Sequence, residues 1–230
     1  PGKGFVAPMG VSTLAGLVYV ADGQDVSVFQ QDLTFVEIID SLTNWMGWGC
    51  GIEASPGFFE SNRIYVGDIG RHKIHMRPIH DPSSNVVTTQ VVGREGPHWG
   101  TYGSLSGEVR SPCAIAASPD GSAVYVLDRD NHRVQRFSVD GVFHRAWGYQ
   151  GTDPGQFQRP EGLAVGPGAS VFVADTDNHR IQRFSADGAF ICEWGHRGGA
   201  WDPMGLRSPC GVTVDRNGRV YVCDTGNGVI

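Results

Sequence analysis

Lysine is nearly missing, with two residues against sixteen arginines in a chain of 230 that also holds 24 acidic residues and a net charge of −6. That balance excludes the broadly basic surface that carries non-specific nucleic-acid binding. No run of about 18 apolar residues occurs, so no membrane-spanning helix is expected, and no segment has an apolar face at the helical period. The five cysteines are scattered and include no Cys-x-x-Cys pair. An odd, dispersed set argues for a reducing compartment, which makes the cytoplasm the expected location. There is no phosphate-cradling Gly-x-x-x-x-Gly-Lys loop, and Gly103-Ser-Leu-Ser-Gly107 puts Leu105 where a nucleophile elbow needs its serine. No single segment carries a catalytic motif, so an enzyme is not the first expectation.

Repetition is what the chain has in abundance. Asp128-Arg-Asp-Asn-His-Arg-Val-Gln-Arg-Phe137 returns 47 residues later as Asp175-Thr-Asp-Asn-His-Arg-Ile-Gln-Arg-Phe184. Each copy follows an apolar stretch and precedes Ser-x-Asp-Gly, an aromatic residue and Trp-Gly, at 147–148 and 194–195. Each begins at a proline, Pro112 or Pro160, and related openings stand at Pro8-Met-Gly-Val, Gly49-Cys-Gly-Ile and Pro209-Cys-Gly-Val. A fixed period of this length marks stacked supersecondary units. The units run over about 8–48, 49–93, 111–148 and 159–195, with a partial one at 208–230.

Within a unit the apolar runs are short, β-branched and aromatic, as in Arg219-Val-Tyr-Val-Cys, and their period is two. Asp-Gly at 140–141 and 187–188 matches a two-residue hairpin turn with positive φ. Each unit therefore reads as four antiparallel strands, and a four-stranded sheet repeated radially is the blade of an all-β propeller. About four and a half blades are present. The chain opens in a connector and stops at Ile230, where a third strand should start, so the expectation is a longer natural protein with at least the rest of blade five. The 33 glycines and 40% apolar content suit one compact domain with many tight turns.

Pro-x-Gly-Leu-Ala-Val, Val-Phe-Val-Ala-Asp, Asn-His-Arg-Ile-Gln-Arg-Phe and the closing Trp-Gly resemble NHL repeats. The likeness is specific over 111–230 and looser over 1–48. It is degraded over 49–93, where Asp68-Ile-Gly-Arg-His-Lys keeps the aspartate without the Asn-His-Arg core, and Pro78 to Asn85 reads as an insertion. The resemblance implies a ring of six blades when complete.

The repeated Asp-x-Asp-Asn-His-Arg gathers carboxylate, imidazole and guanidinium within six residues, yet its recurrence points to architecture: Asp and Asn at strand exits satisfy loop amides. A candidate site lies one residue after the repeat's proline, where Met9, Cys50, Cys113, Glu161 and Cys210 would ring the mouth of the central channel. Cys50, Cys113, Cys210 and Glu161 are acceptable zinc ligands. The resemblance extends to peptidyl-amidoglycolate lyases, which use histidines at this register for a metal, and this chain has none there. The expectation is therefore no cofactor, with channel zinc and a metal-dependent lyase as minor alternatives. His72 and His75, three apart on an expected strand, would face opposite ways.

The expected role is a non-enzymatic protein-interaction scaffold that serves other proteins as part of a longer polypeptide or large assembly, because loops on a stiff scaffold are free to vary. Its expected contacts are Trp99, Tyr102 and His98 in a long connector, 93–111, and Trp201 and Arg197 in another, 195–207. Single-stranded RNA on a rim of Arg129, Arg145, Arg159 and Arg207 is the alternative.

Overall fold

The computed structural model describes residues 8–14, 17–22, 25–41, 49–55, 63–78, 98–199 and 201–230. Its strands form the four-stranded antiparallel sheets that the repeat predicts. Blade 1 is β1 (Pro8–Leu14), β2 (Leu17–Asp22), β3 (Asp25–Gln30) and β4 (Phe35–Ser41). Blade 2 is β5 (Gly49–Ser55), β6 (Arg63–Asp68), β7 (Lys73–Pro78) and the two-residue β8 (His98–Trp99). Blade 3 is β9 (Pro112–Ala117), β10 (Ala123–Asp128), β11 (Arg133–Ser138) and β12 (Phe143–Trp147). Blade 4 is β13 (Gly162–Val165), β14 (Val171–Asp175), β15 (Arg180–Phe184) and β16 (Phe190–Trp194). In the connector that follows, β17 (His196–Arg197) pairs in parallel with β18 (Gly205–Leu206). The inner strands of the fifth unit, β19 (Pro209–Val214) and β20 (Val220–Asp224), form a two-stranded antiparallel sheet.

First strands of successive blades lie against one another, β1 on β5, β5 on β9, β9 on β13 and β13 on β19. This arrangement sets them around the axis. The second strands of blades 3 and 4 are buried on both faces, so Ala-Val-Tyr-Val-Leu-Asp of β10 and Val-Phe-Val-Ala-Asp of β14 are apolar up to the terminal aspartate rather than alternating. One face of β10 packs with blade 2, joining Val124 and Val126 to Tyr65 and Ile74. The other packs with blade 4, joining Tyr125 and Leu127 to Val171 and Val173.

Two details differ from the sequence expectation. Residues 93–111 are not one connector, because Trp99 pairs with Ile74 as the outer strand of blade 2 and Trp99-Gly100 is that blade's closing pair. The lengthened segment before it displaced the pair from its usual spacing; the expected insertion after Pro78 lies outside the described residues. The Asp-Gly hairpins are wider than two residues: Ser138 N–H donates to Val142 O and Gly141 N–H to Ser138 O. Gly141 alone is left-handed, with φ 84°, and the register shifts beside it. This is the turn-plus-glycine-bulge form of a hairpin.

Candidate functional site

Asp128 is fully buried, and its two oxygens collect the motif around it. Oδ1 accepts the backbone N–H of Arg110 at 2.6 Å. Oδ2 accepts from Asn131 Nδ2 at 2.8 Å, Arg133 Nε at 2.7 Å and Gln135 Nε2 at 3.1 Å. Asp175 repeats the pattern with Gln158 N–H at 2.7 Å, Asn178 at 2.9 Å, Arg180 at 2.8 Å and Gln182 at 3.0 Å. Asp224 keeps two of the four partners, Arg207 N–H and Asn227, both at 2.7 Å. Burial pushes the Asp128 carboxyl up, and the Asn131, Arg110 and Arg133 donors pull against it. Asp130 beside it is also raised by burial, but the Ser111 hydroxyl and the Arg129 guanidinium outweigh that and hold it below the ordinary carboxylate value.

The far ends of the same side chains clamp the connector that enters the blade. Asn131 donates to Gly103 O, and Arg133 donates to Ser104 O, Leu105 O and Glu108 O at 2.7–2.9 Å. Gln135 bridges Glu108 O and the Gly107 N–H. In blade 4, Asn178 holds Gly151 O, Arg180 holds Asp153 O and Gln156 O, and Gln182 holds Gln156 O and the Gly155 N–H.

The histidine of the motif reaches the other way, into the next blade. His132 and His179 are left-handed, with φ 53° and 57°. Nδ1 of His132 accepts from Arg159 N–H at 3.3 Å, and that of His179 from Ser208 N–H at 3.0 Å. Both donors precede the proline that opens the following unit. Blade 2 does the same with His72, φ 55°, which accepts from Ser111 N–H at 2.9 Å. His72 is thus the motif histidine in a turn and not a strand residue, and the degraded unit retains it. His75 on β7 takes the glutamine's place, with Nε2 3.4 Å from Asp68 Oδ2. The aspartate, asparagine, arginine and glutamine of the repeat thus hold the incoming connector, and its histidine holds the next blade.

The closing tryptophans serve the opposite side of the blade. A Cβ on Gly141 would stand 2.4 Å from the Trp99 ring, and one on Gly188 2.4 Å from the Trp147 ring. Each tryptophan thus covers the outer hairpin of the following blade, and only glycine leaves it room. Trp99 also packs on Tyr65 and Phe137, with ring centroids 6.4 and 4.5 Å apart. It is a junction residue and not an exposed anchor.

Tyr102 is 58% exposed. Its ring nonetheless packs at a tilt on His72, centroids 4.7 Å apart, under the Arg110 guanidinium, which bonds its hydroxyl. Trp201 is 99% exposed. Beside it His196 and Asp202 pair at 2.8 Å, while Arg197 is exposed on β17. His98 is placed by its backbone in β8, and its side chain lies outside the described residues.

The four arginines are divided. Arg129 pairs with Asp130 at 3.0 Å and Arg159 with Glu161 at 3.2 Å, Arg207 lies in the last connector, and Arg145 sits on the outermost strand of blade 3. Of the channel-mouth set, Cys113 is buried, with Sγ 3.5 Å from Pro160 O, and half-exposed Cys210 meets the Thr225 hydroxyl at 2.7 Å. Met9 and Cys50 lie on described strands, but their side chains do not belong to the described residues. Among the described residues no three His, Cys, Asp or Glu side chains gather at metal-binding separation, and no helix is long and apolar enough to cross a membrane.

Four-stranded antiparallel sheets joined face to face around their first strands define a β-propeller. The NHL repeat family model matches residues 157–184 and 206–228, so blade 4 and the fifth unit carry NHL repeats. No curated protein matches the sequence significantly. Among solved structures, the chain resembles selenomethionine-substituted virginiamycin B lyase from Staphylococcus aureus (TM-score 0.61, 14% identity, 95% of this chain and 63% of that one). It also resembles a chain of a nidogen/laminin complex (0.64, 15%, 94% and 72%) and a Bacteroides thetaiotaomicron protein of unknown function (0.66, 13%, 95% and 56%). The chain spans 63% of the lyase's length.

Proposed function

We propose that this propeller is a non-enzymatic protein-interaction scaffold whose contacts lie on the connector side of the blades. The observation that carries this reading is a division of labour. The recurring charged residues are spent on holding connectors, whereas the residues that differ between connectors present exposed apolar groups: Leu105, Tyr149, Trp201 and Met204. Aromatic side chains raised on a rigid base bury much area at low entropic cost, which suits a protein partner. The likeness to a chain of a nidogen/laminin complex is consistent with a propeller that docks other proteins. The acid excess and the pairing of Arg129 and Arg159 with carboxylates favour protein over RNA.

The test is to recover the protein from its native source with and without nuclease, identify the companions, and rebuild each pair from purified components. A nuclease-resistant pair weakened ~10-fold or more by Trp201→Ser or Leu105→Ser supports the reading. Companions that vanish with nuclease, together with salt-sensitive single-strand binding lost in Arg159→Glu and Arg207→Glu, would replace it with RNA binding.

A further inference from the structure

The corner between blades 2 and 3 carries two side chains that the repeat does not need. Tyr102 bridges Val109 as Gln150 bridges Phe157 at the next corner, and the N–H of Arg110 meets Asp128 Oδ1 as the N–H of Gln158 meets Asp175 Oδ1. The two corners therefore share one backbone, and at the second of them glutamine fills both places. At the first corner Arg110 donates to the Tyr102 hydroxyl from Nε at 3.1 Å and also from Nη2, and its guanidinium lies over the tyrosine ring, 5.0 Å from the centroid. The His72 ring packs against the same tyrosine.

This arrangement leaves unspent donors on an exposed surface. The tyrosine oxygen accepts both arginine bonds, so its own proton is left to donate elsewhere. Nη1 of Arg110 has no acceptor among the described residues. His72 accepts the Ser111 N–H at Nδ1, which places its ring proton on Nε2. The carboxylates of the corner are already engaged: Asp128 with Arg133, Asp130 with Arg129 and the Ser111 hydroxyl, and Glu108 with the Leu105 N–H. Arg110 bonds none of them, and stacking on Tyr102 fixes its guanidinium in place before any ligand arrives.

We infer that Arg110, Tyr102 and His72 form a docking point for one carboxylate side chain of a protein partner, with Leu105, 71% exposed on the same connector, as its apolar neighbour. The inference rests on the scaffold reading above and gives the partner a chemistry, an acidic residue beside an apolar one. Charge complementarity selects the group. A carboxylate takes a fork from the Nη atoms of Arg110 and the hydroxyl proton of Tyr102, both charge-assisted bonds. A doubly charged phosphoryl group would instead bring its second charge toward Asp130, which lies near enough to interact with Arg110.

The probe is the blocked tripeptide acetyl-Leu-Glu-Leu-amide, compared with acetyl-Leu-Gln-Leu-amide at fixed ionic strength, and the readout is the Arg110 Nε–Hε resonance of the isotope-labelled protein. The expected result is a saturable shift with the Glu peptide that is ~10-fold weaker with the Gln peptide and ~5-fold weaker in Tyr102→Gln, a variant that takes the residue found at the equivalent place of the next corner. A resonance that the Glu peptide leaves in place, or that the Gln peptide moves equally, overturns the proposal. Inorganic phosphate acting at a ~10-fold lower concentration than the Glu peptide overturns it in favour of a phosphoryl ligand. The peptide experiment needs no partner, so it can fail while nuclease-resistant companions are still recovered. A recovered pair that binds Arg110→Gln as tightly as the natural protein likewise removes this contact and leaves the scaffold reading standing.

Discussion

His179 Nδ1 accepts the backbone N–H of Ser208 at 3.0 Å, and this bond ties the turn of one blade to the residue that opens the next. The same relationship joins His72 to Ser111 and His132 to Arg159. His179→Ala is expected to cost about 1 kcal/mol, the usual net value of such a bond, and to speed exchange of the Ser208 amide before global unfolding. Unaltered exchange at Ser208 would refute the assignment of this histidine as the tie between blades.

Asp175→Asn should be worse. Three donors converge on one buried oxygen, and an amide in its place takes from the Arg180 guanidinium, only 8% exposed, one of its two carboxylates, leaving Glu193 at 2.9 Å as the other. Leaving buried donors without their charged acceptor costs about 2–3 kcal/mol. Urea denaturation of the variant is expected to show a loss at least twice that of His179→Ala.

Two glycines with nearly equal φ separate backbone strain from crowding. Gly155 has φ 84° and nothing within 4 Å of an added Cβ, whereas Gly188 has φ 82° and the Trp147 ring at 2.4 Å. Gly155→Ala should cost about 1 kcal/mol from the left-handed conformation alone. Gly188→Ala adds overpacking of about 1–3 kcal/mol. Equal melting temperatures for the two variants would show that Trp147 does not cover the hairpin.

Asp130 and Asp128 titrate in opposite senses. With its folded value below that of the unfolded chain, Asp130 contributes stability that is present above the ordinary carboxylate range, pH ~4, and is lost as the pH falls through its folded value. Asp128, with its value raised, binds its proton more readily when folded and weakens the fold as the pH rises through that range. Asp130→Asn should therefore flatten the acid limb of the stability curve measured between pH ~5 and ~2.5. An acid limb as steep as that of the natural protein would count against the Ser111 and Arg129 bonds to this carboxyl.

The blades were legible wherever the repeat kept its spacing, because the strands are short, the aspartate recurs at the strand exit and Trp-Gly closes each unit. Blade 2 hid two of its parts. The stretch after Pro78 pushed Trp99-Gly100 away from its usual distance, and Arg71 in place of the motif asparagine masked His72, although the turn needs only a left-handed residue with a ring nitrogen. The division of labour among aromatics was not legible either. Trp99 and Trp201 are both flanked by connector-like sequence, and one is packed into a junction while the other is 99% exposed. Only the neighbouring blade decides between these fates, and its position is a property of the assembled ring.

Asn131, Arg133 and Gln135 grip the incoming connector through its carbonyls and amides alone, at Gly103, Ser104, Leu105, Gly107 and Glu108. A grip on the main chain is indifferent to what the side chains are. Selection can therefore rewrite the outward residues of this loop without loosening its anchorage, and a combinatorial library at positions 104–106 would inherit the same tolerance.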